Sequence, residues 1–172
     1  MSLESVFLKF SAEKLDQLCG RIETCADKLT PEQIWARGTQ NENAVGNLML
    51  HLAGNVRQWI LHGVGGQPDN RVRDAEFDAR GEISVDELKR RLRTTVDEAS
   101  ALIRALPPEH LIETRTIQKH YDVTVLEAIY HVVEHFSGHA GQIIFATKLL
   151  TGEDLGFYAY LRKAQAQSGE RP

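Results

Sequence analysis

The stretch Thr124–Leu150, TVLEAIYHVVEHFSGHAGQIIFATKLL, decides how this chain folds. Its apolar residues recur at steps of three and four, which predicts one long amphipathic helix. These residues are Val125, Ile129, Val132, Phe136, Ile143, Ala146 and Leu150. Three histidines, His131, His135 and His139, follow one another four residues apart on the same helix. Because four residues advance a helix by about 400°, each imidazole lies nearly above the last, one turn away.

Two of these histidines are placed toward the core of the protein. His139 occupies a slot in the apolar stripe between Phe136 and Ile143, and His135 lies directly beside it. An imidazole that faces the core must find partners, because burying an unpaired polar group costs roughly 1–3 kcal/mol. A metal ion is the partner that would use two such rings together.

Composition limits the class of protein. The 172 residues are 42% apolar and 26% charged, and we expect one domain over residues 1–164 with a frayed tail at 165–172. A net charge of -4 without a basic stripe argues against a nucleic-acid partner. No apolar run is long enough to cross a membrane, which argues against a membrane partner. The presence of only Cys19 and Cys25, without a signal peptide, predicts a cytoplasmic protein.

Three further helices are predicted before the long one. Apolar spacing places them at residues 3–29, from residue 42 or 43 to 62, and at residues 84–106. Capping-box sequences stand at three helix starts, and they are Thr30 with Gln33, Ser84 with Glu87, and Thr124 with Glu127. Together the four long helices predict an all-α fold, a four-helix bundle.

The connections between the helices differ in character. Residues 65–83 are polar and rich in helix breakers, with Phe77 as their one large anchor. A loop of this length is usually functional or packs as an Ω-loop. Residues 111–122 partly alternate, which predicts a small exposed hairpin before the last long helix. The aromatic stretch 157–161 predicts a short C-terminal helix.

A third metal ligand must come from another helix. A catalytic zinc or nickel site typically has three protein ligands and an open position, and bundle cores are where such sites are built. His51 borders the apolar stripe of the second helix and can face inward, so it is the best candidate. His62 lies at a helix end, His110 follows two prolines, and His120 lies in the hairpin turn. We expect all three to face solvent.

Two other metal chemistries fit the long helix less well. Residues 131–135 match H-x-x-E-H, the inverted zincin motif, in which Glu134 would be the general base. That motif needs a further acidic ligand downstream and a cleft for a peptide, and only a short stretch of chain follows. A di-iron bundle needs several Glu and paired E-x-x-H motifs, whereas Glu127 precedes His131 by four residues.

The residues around these histidines resemble a known family. The segments 47–52, NLMLHL, and 135–143, HFSGHAGQI, resemble the DinB superfamily of DinB/YfiT-like metalloenzymes. Its pattern is a His followed by Leu on the second helix and H-x-x-x-H-x-G-Q-I on the last long helix. The segments 73–77, RDAEF, and 154–158, DLGFY, further resemble its DUF1572 branch.

This resemblance implies a four-helix bundle, commonly a homodimer, with one divalent metal bound by three histidines. Carried over by position, the metal ligands are His51, His135 and His139, and His131 lies outside the set. Gly141 and Gln142, in the same motif, would allow close approach of a neighbouring helix and hold a contact behind a ligand. Characterised relatives include metal-dependent thiol transferases, which implies zinc or nickel, a low-molecular-weight thiol cofactor and a small-molecule substrate.

Two functions therefore remain open. The first is a metalloenzyme, a thiol transferase or a hydrolase-like enzyme, whose catalytic residues and thiol-binding residues the sequence does not identify. The second is a non-catalytic bundle in which any metal is structural. Three nitrogen ligands favour the enzyme, because a structural zinc site usually recruits a fourth side chain, often Cys.

Overall fold

The computed structural model describes residues 2–161, and most of these residues are helical. The long helices are α1 Leu3–Ala26, α3 Val45–Val56, α5 Val85–Ala105 and α6 Val125–Thr151. The short elements are α2 Pro31–Ile34, α4 Arg73–Asp78, a 3-10 turn at Pro108–Ile112, and strands β1 Thr114–Ile117 and β2 Tyr121–Thr124. The predicted tail at 165–172 and the predicted domain end at 164 lie outside the described residues.

The long helices pack on one another around a shared core. Helix α1 contacts α5 and α6, and α3 contacts the same two helices. Fully buried side chains come from each of them, among others Leu15 and Ile22 of α1, Leu52 of α3, Leu92 of α5 and Phe136 of α6. The all-α class predicted from the sequence fits this arrangement, with one small sheet added.

The predicted capping sequences form at the helix starts, with one exception. At Thr30 and Thr124 the hydroxyl accepts a backbone N–H of the first turn, and the side chain three residues on accepts the N–H of the cap. Ser84 accepts the N–H of Glu87 in the same way. The Glu87 carboxylate, however, pairs with two neighbouring arginines. The prediction of a full capping box at Ser84 is therefore wrong, because ion pairs hold the side chain that would complete it.

Two helix boundaries differ from the prediction. Helix α1 ends at Ala26 rather than at residue 29, since the next residues form a turn. Helix α3 begins at Val45 rather than at residue 42 or 43. Its start is set by Asn47, whose side-chain oxygen accepts the N–H of Ala44 at 3.2 Å. A side chain inside the helix thus caps it from within.

The second long helix changes its geometry part of the way along. After α3 the chain continues as the π-helix Arg57–Val64, in which each N–H reaches about five residues back. A Cβ at Gly63 would lie 2.7 Å from the side chain of Ile117 in β1. A Cβ at Gly65 would collide with Leu102 of α5. The glycines that were predicted only to end this helix therefore also let α5 and the hairpin pack against it.

The long connection 65–83 contains a helix that the sequence did not predict, α4. Its buried residue is Glu76, whereas Phe77, the predicted anchor, is only half-buried. The side-chain amide of Asn47 donates to the backbone carbonyls of Glu76 at 2.9 Å and of Ala79 at 3.1 Å. The connection is thus fastened to α3 through its backbone, and the ring of Phe77, the predicted anchor, contacts that of His51, with centroids 4.8 Å apart.

The predicted hairpin is present. Strands β1 and β2 are antiparallel, with Thr114 opposite Thr124 and Ile117 opposite Tyr121. Gln118, in the turn, has a left-handed φ of 55°. The hairpin is not wholly exposed as predicted, because Ile117 is fully buried against the π-helix.

The chain after α6 follows the prediction as far as it is described. Gly152 ends α6 in the left-handed conformation, with a φ of 70°. Residues 159–161 are helical where the short C-terminal helix was predicted. Across residues 2–161, no helix combines the length and the apolar character needed to cross a membrane.

Candidate metal centre

Three imidazoles meet between α3 and α6, and they belong to His51, His135 and His139. One ligand nitrogen from each lies within 4.8 Å of the others, an arrangement that could hold a metal ion. The ring centroids are 5.0 Å apart for His51 and His135, and 4.5 Å apart for His135 and His139. Two of the rings come from one face of α6 because they are four residues apart, and α3 packs against that helix.

The contact between His51 and His135 has the dimensions of a ligand pair. Their Nε2 atoms are 3.1 Å apart. Two nitrogens that each bind a tetrahedral zinc ion at about 2.0–2.1 Å lie about 3.3 Å from each other. The Nδ1 atom of His135 is buried, and no hydrogen-bond partner for it lies among the described residues. The donor set and this spacing fit a divalent metal ion.

The surroundings keep the two α6 histidines of the group, His135 and His139, uncharged. Burial lowers the pKa of His135 to about 3, and the charges on the neighbouring histidines and on Arg71 act in the same direction. Burial also lowers the pKa of His139, although its hydrogen bond with Gln142 opposes the effect. Metals bind the neutral imidazole, so at neutral pH these rings need not lose a proton before binding.

A buried ion pair lies behind His51. The Nδ1 atom of His51 is 3.0 Å from Oε2 of Glu76. Arg71 donates to both carboxylate oxygens, from Nε at 2.8 Å and from Nη2 at 2.9 Å. Burial would raise the pKa of Glu76, but the hydrogen bonds from Arg71 and His51, together with their charges, outweigh burial and lower the pKa. Glu76 is therefore ionised at neutral pH.

The second long helix leaves room for this ion pair. A Cβ at Gly54 would lie 2.8 Å from Cδ of Glu76 and 3.0 Å from Nε of Arg71. From the π-helix, Gln58 accepts a hydrogen bond from Nη1 of Arg71 at 2.9 Å. The side chain of Arg71 is 4% exposed as a result, and that of Glu76 is 10% exposed.

The third histidine of the group, His139, has its own partner on α6. The oxygen Oε1 of Gln142 is 2.7 Å from Nδ1 of His139, which places an acceptor behind this ring. Gln142 therefore contacts one of the three converging histidines. A Cβ at Gly141 would meet no described atom within 4 Å, so no described helix of the same chain makes the close approach predicted there.

His131 lies one turn away and outside the group of three. Its ring packs on Trp59, with centroids 4.1 Å apart, and is 5.6 Å from the ring of His135. Glu134, the general base of an inverted zincin, is exposed to solvent and is not in the group. Within residues 2–161, the structure therefore does not assemble the inverted zincin site that residues 131–135 could encode.

The other candidate ligands lie elsewhere. Cys19 and Cys25 are buried, unpaired thiols of α1 and do not join the histidines. His120 is exposed as predicted, whereas His62 and His110 are half-buried rather than fully solvent-facing. His62 is held by the backbone carbonyl of Gln67, 2.6 Å from its Nδ1.

Sequence reasoning did not identify Glu76 and Arg71 as part of this site. Both lie in a polar connection in which neither periodicity nor neighbouring apolar residues indicates burial. Two signals pointed to this loop without naming a role for either residue. Long loops in compact domains are usually functional, and the segment 73–77, RDAEF, which contains Glu76, resembles the DUF1572 branch.

Fold and site define the class of protein, a mostly helical chain with three converging histidines. Its sequence matches the family described as Protein of unknown function (DUF1572) over residues 2–162, so the chain belongs to that family. A solved structure of a conserved protein from Enterococcus faecalis is similar, with a TM-score of 0.72 and 18% sequence identity. The similarity covers 89% of this chain and 99% of that chain, and it shows a shared fold alone. No curated protein matches the sequence.

Proposed function

We propose that this chain is a divalent-metal-binding metalloenzyme of the DinB superfamily. The observation that carries the proposal is the convergence of His51, His135 and His139, whose ligand nitrogens lie within 4.8 Å of one another. Zinc and nickel are the proposed metals, because both accept imidazole ligands. The proposed substrate is a small molecule, and the proposed second cofactor is a low-molecular-weight thiol.

The packing of the helices supports the superfamily assignment. Each of α1, α3, α5 and α6 contacts at least two of the others, as the helices of a four-helix bundle do. In such bundles, metal sites are built in the core from side chains on facing helices. The H-x-x-x-H-x-G-Q motif of α6 and the His-Leu pair of α3 stand in these positions. We therefore propose a four-helix bundle with its metal between the second and the last long helix.

A catalytic role is supported by the size of the ligand set. The group of residues that could hold a metal contains three histidines and no fourth side chain within residues 2–161. Structural zinc sites are almost always closed by a fourth protein ligand, whereas catalytic sites keep a position open. Three neutral ligands also leave the full positive charge of a divalent ion to act on whatever binds next.

The thiol of such a reaction must come from outside the chain. Cys19 and Cys25 are fully buried, and burial raises the pKa of both thiols, of Cys19 to about 12. A divalent ion at the three histidines would lower the pKa of an external thiol, whose proton would pass to solvent. Sulfur would then form a bond to the electrophile, and the leaving group would depart with its bonding electrons. In this proposal, His51, His135 and His139 would hold the metal ion while these bonds form and break.

The predicted homodimer belongs to the same proposal. Large apolar side chains are exposed along α6, among them Tyr130 at 64%, Phe145 at 66% and Leu149 at 70%. A second copy of the chain packed on this helix would cover them. Light scattering on the purified protein measures the mass and decides between a monomer and a dimer.

Elemental analysis of protein purified without an affinity tag tests the metal site. We expect about one divalent metal per chain in the wild type and in the variant His131→Ala, and loss of metal in His135→Ala. His110→Ala is the matched control, because His110 pairs with Glu113 away from the site. A wild type that carries no metal and takes up no zinc or nickel would refute the proposal.

Catalysis is tested separately on the reconstituted protein. Thiol transfer to electrophiles should depend on added metal and disappear in His135→Ala. If chelation lowers the melting temperature but no transfer is found, and the bound metal has no water or exogenous ligand, the metal is structural and the catalytic part of the proposal is wrong.

A further inference from the structure

His51 has two competing neighbours at one ring nitrogen. Its Nδ1 atom is 3.0 Å from Oε2 of Glu76 and 3.1 Å from Nη2 of Arg71. If Nδ1 carries the proton of the neutral ring, it donates to Glu76, and Nε2 keeps its lone pair. If Nδ1 is unprotonated, it accepts from Arg71, and the proton sits on Nε2. Only the first tautomer can bind a metal through Nε2.

The geometry of the ion pair selects the first tautomer. An ionised carboxylate only accepts hydrogen bonds, so the contact with Oε2 of Glu76 requires a proton on Nδ1 of His51. Arg71 already donates from Nε to Oε1 of Glu76 at 2.8 Å and from Nη2 to Oε2 at 2.9 Å. This pair of parallel bonds is the geometry in which guanidinium and carboxylate bind most strongly. The guanidinium thus fixes the carboxylate, and the carboxylate holds the proton of His51.

We propose that Glu76 and Arg71 are positioning residues of the metal centre, which fix the Nδ1–H tautomer of His51 and direct its Nε2 toward the ion. Ligand histidines in metal sites usually donate their second N–H to a carboxylate or a carbonyl, which fixes the ring and raises its basicity. The inference deepens the proposed function and rests on it where metal affinity is concerned.

The long connection 65–83 carries both residues of the ion pair and places them beside His51. Three residues of the second long helix hold the connection and the pair in this position. Asn47 binds the backbone carbonyls of α4, Gly54 leaves space for the two side chains, and Gln58 accepts the remaining Nη1 donor of Arg71. Apolar residues in place of a buried ion pair are often neutral or stabilising, so stability alone does not account for burying this pair.

Replacing both charges together tests the proposal. In the double variant Arg71→Met and Glu76→Met, apolar side chains of similar size take the place of the pair, a change that is often neutral or stabilising. The matched control removes another ion pair, that of Arg93 and Glu23 between α5 and α1, with Nη2 and Oε2 2.6 Å apart. Zinc affinity is measured by competition with a chromophoric chelator. We expect the double variant to bind zinc about 10–100-fold more weakly than the wild type and the control.

The tautomer is measured without any metal. Long-range proton–nitrogen correlation spectra of the metal-free protein assign the proton of His51 to Nδ1 or to Nε2. We expect Nδ1–H in the wild type and in the control, and loss of this fixed tautomer in the double variant.

Three results decide whether Glu76 and Arg71 position His51. A proton on Nε2 of His51 in the metal-free wild type overturns the proposal, whether or not the double variant folds. Unchanged zinc affinity in a folded double variant overturns it as well. If the wild type binds no zinc but has Nδ1–H and loses it in the double variant, the metal-binding function fails while the positioning of His51 by Glu76 stands.

Discussion

Replacing Gly54 by alanine should destabilise this protein, although alanine is the better helix former. Gly54 lies inside α3, where glycine costs up to about 1 kcal/mol relative to alanine. A Cβ at this position would lie 2.8 Å from Cδ of Glu76 and 3.0 Å from Nε of Arg71. Both side chains are buried, so neither can swing into solvent without leaving its partner.

The magnitude follows from these two opposing effects. Breaking a buried ion pair costs about 3–5 kcal/mol, and the gain in helix propensity returns about 1 kcal/mol. The expected net loss is about 2–4 kcal/mol in the free energy of unfolding. For a chain of 172 residues, each kcal/mol corresponds to about 2–4 °C in melting temperature. Gly54→Ala should therefore melt about 4–16 °C below the wild type.

Thermal denaturation followed by circular dichroism, with a chelator present, measures this difference without a contribution from metal. Gly20→Ala is the matched control, because Gly20 also lies inside a long helix and a Cβ there would approach nothing closer than 3.9 Å, at Nη2 of Arg93. We expect this control to melt at or slightly above the wild-type temperature. If Gly54→Ala is as stable as Gly20→Ala, the ion pair does not occupy the space beside α3, and the account of the site is wrong.

Three further outcomes are expected. Zinc at about 100 times its dissociation constant should stabilise the wild type by about 2.7 kcal/mol, which raises the melting temperature by about 5–11 °C. The shift should persist in His131→Ala and vanish in His135→Ala, and equal shifts in both variants would contradict the ligand assignment. The thiols of Cys19 and Cys25 should react with Ellman's reagent at pH 8 only after denaturation, because both are buried. Burial raises the pKa of Cys19 from 9.0 to about 12, so its effect on stability is fully favourable below pH 9 and is lost as the pH rises toward 12. Urea denaturation at a series of pH values measures this loss. The free energy of unfolding should fall by up to about 1.4 kcal/mol per pH unit between pH 9 and 12, and it should fall less steeply in Cys19→Ala. An equal slope in the variant would assign the loss to other groups.

Local sequence determined the elements that are set by short-range rules. The period of the apolar residues predicted α6, and the capping boxes at Thr30 and Thr124 predicted where helices begin, because both depend on contacts within a few residues. The hairpin was predicted for the same reason, from the alternation of its strands. The spacing of His135 and His139 likewise placed two imidazoles on one helical face.

Only the tertiary structure decided the features that depend on distant neighbours. The π-helix at Arg57–Val64 lies where Ile117 and Leu102 pack against glycines of the second long helix, and neither contact has a local signal. Inward-facing His51 was a candidate from its place beside an apolar stripe, but its distance to His135 depends on how α3 and α6 pack.

The division is clearest around the long helix with its three histidines. Its sequence supplied three rings at four-residue spacing, and the apolar stripe already set His135 and His139 toward the core and apart from His131. Packing decided what these rings meet: His135 and His139 face His51, while His131 packs on Trp59. The partner behind His51 was beyond the reach of the sequence, because Glu76 and Arg71 are charged residues in a polar loop. Their burial arises from space that Gly54 leaves on a different element.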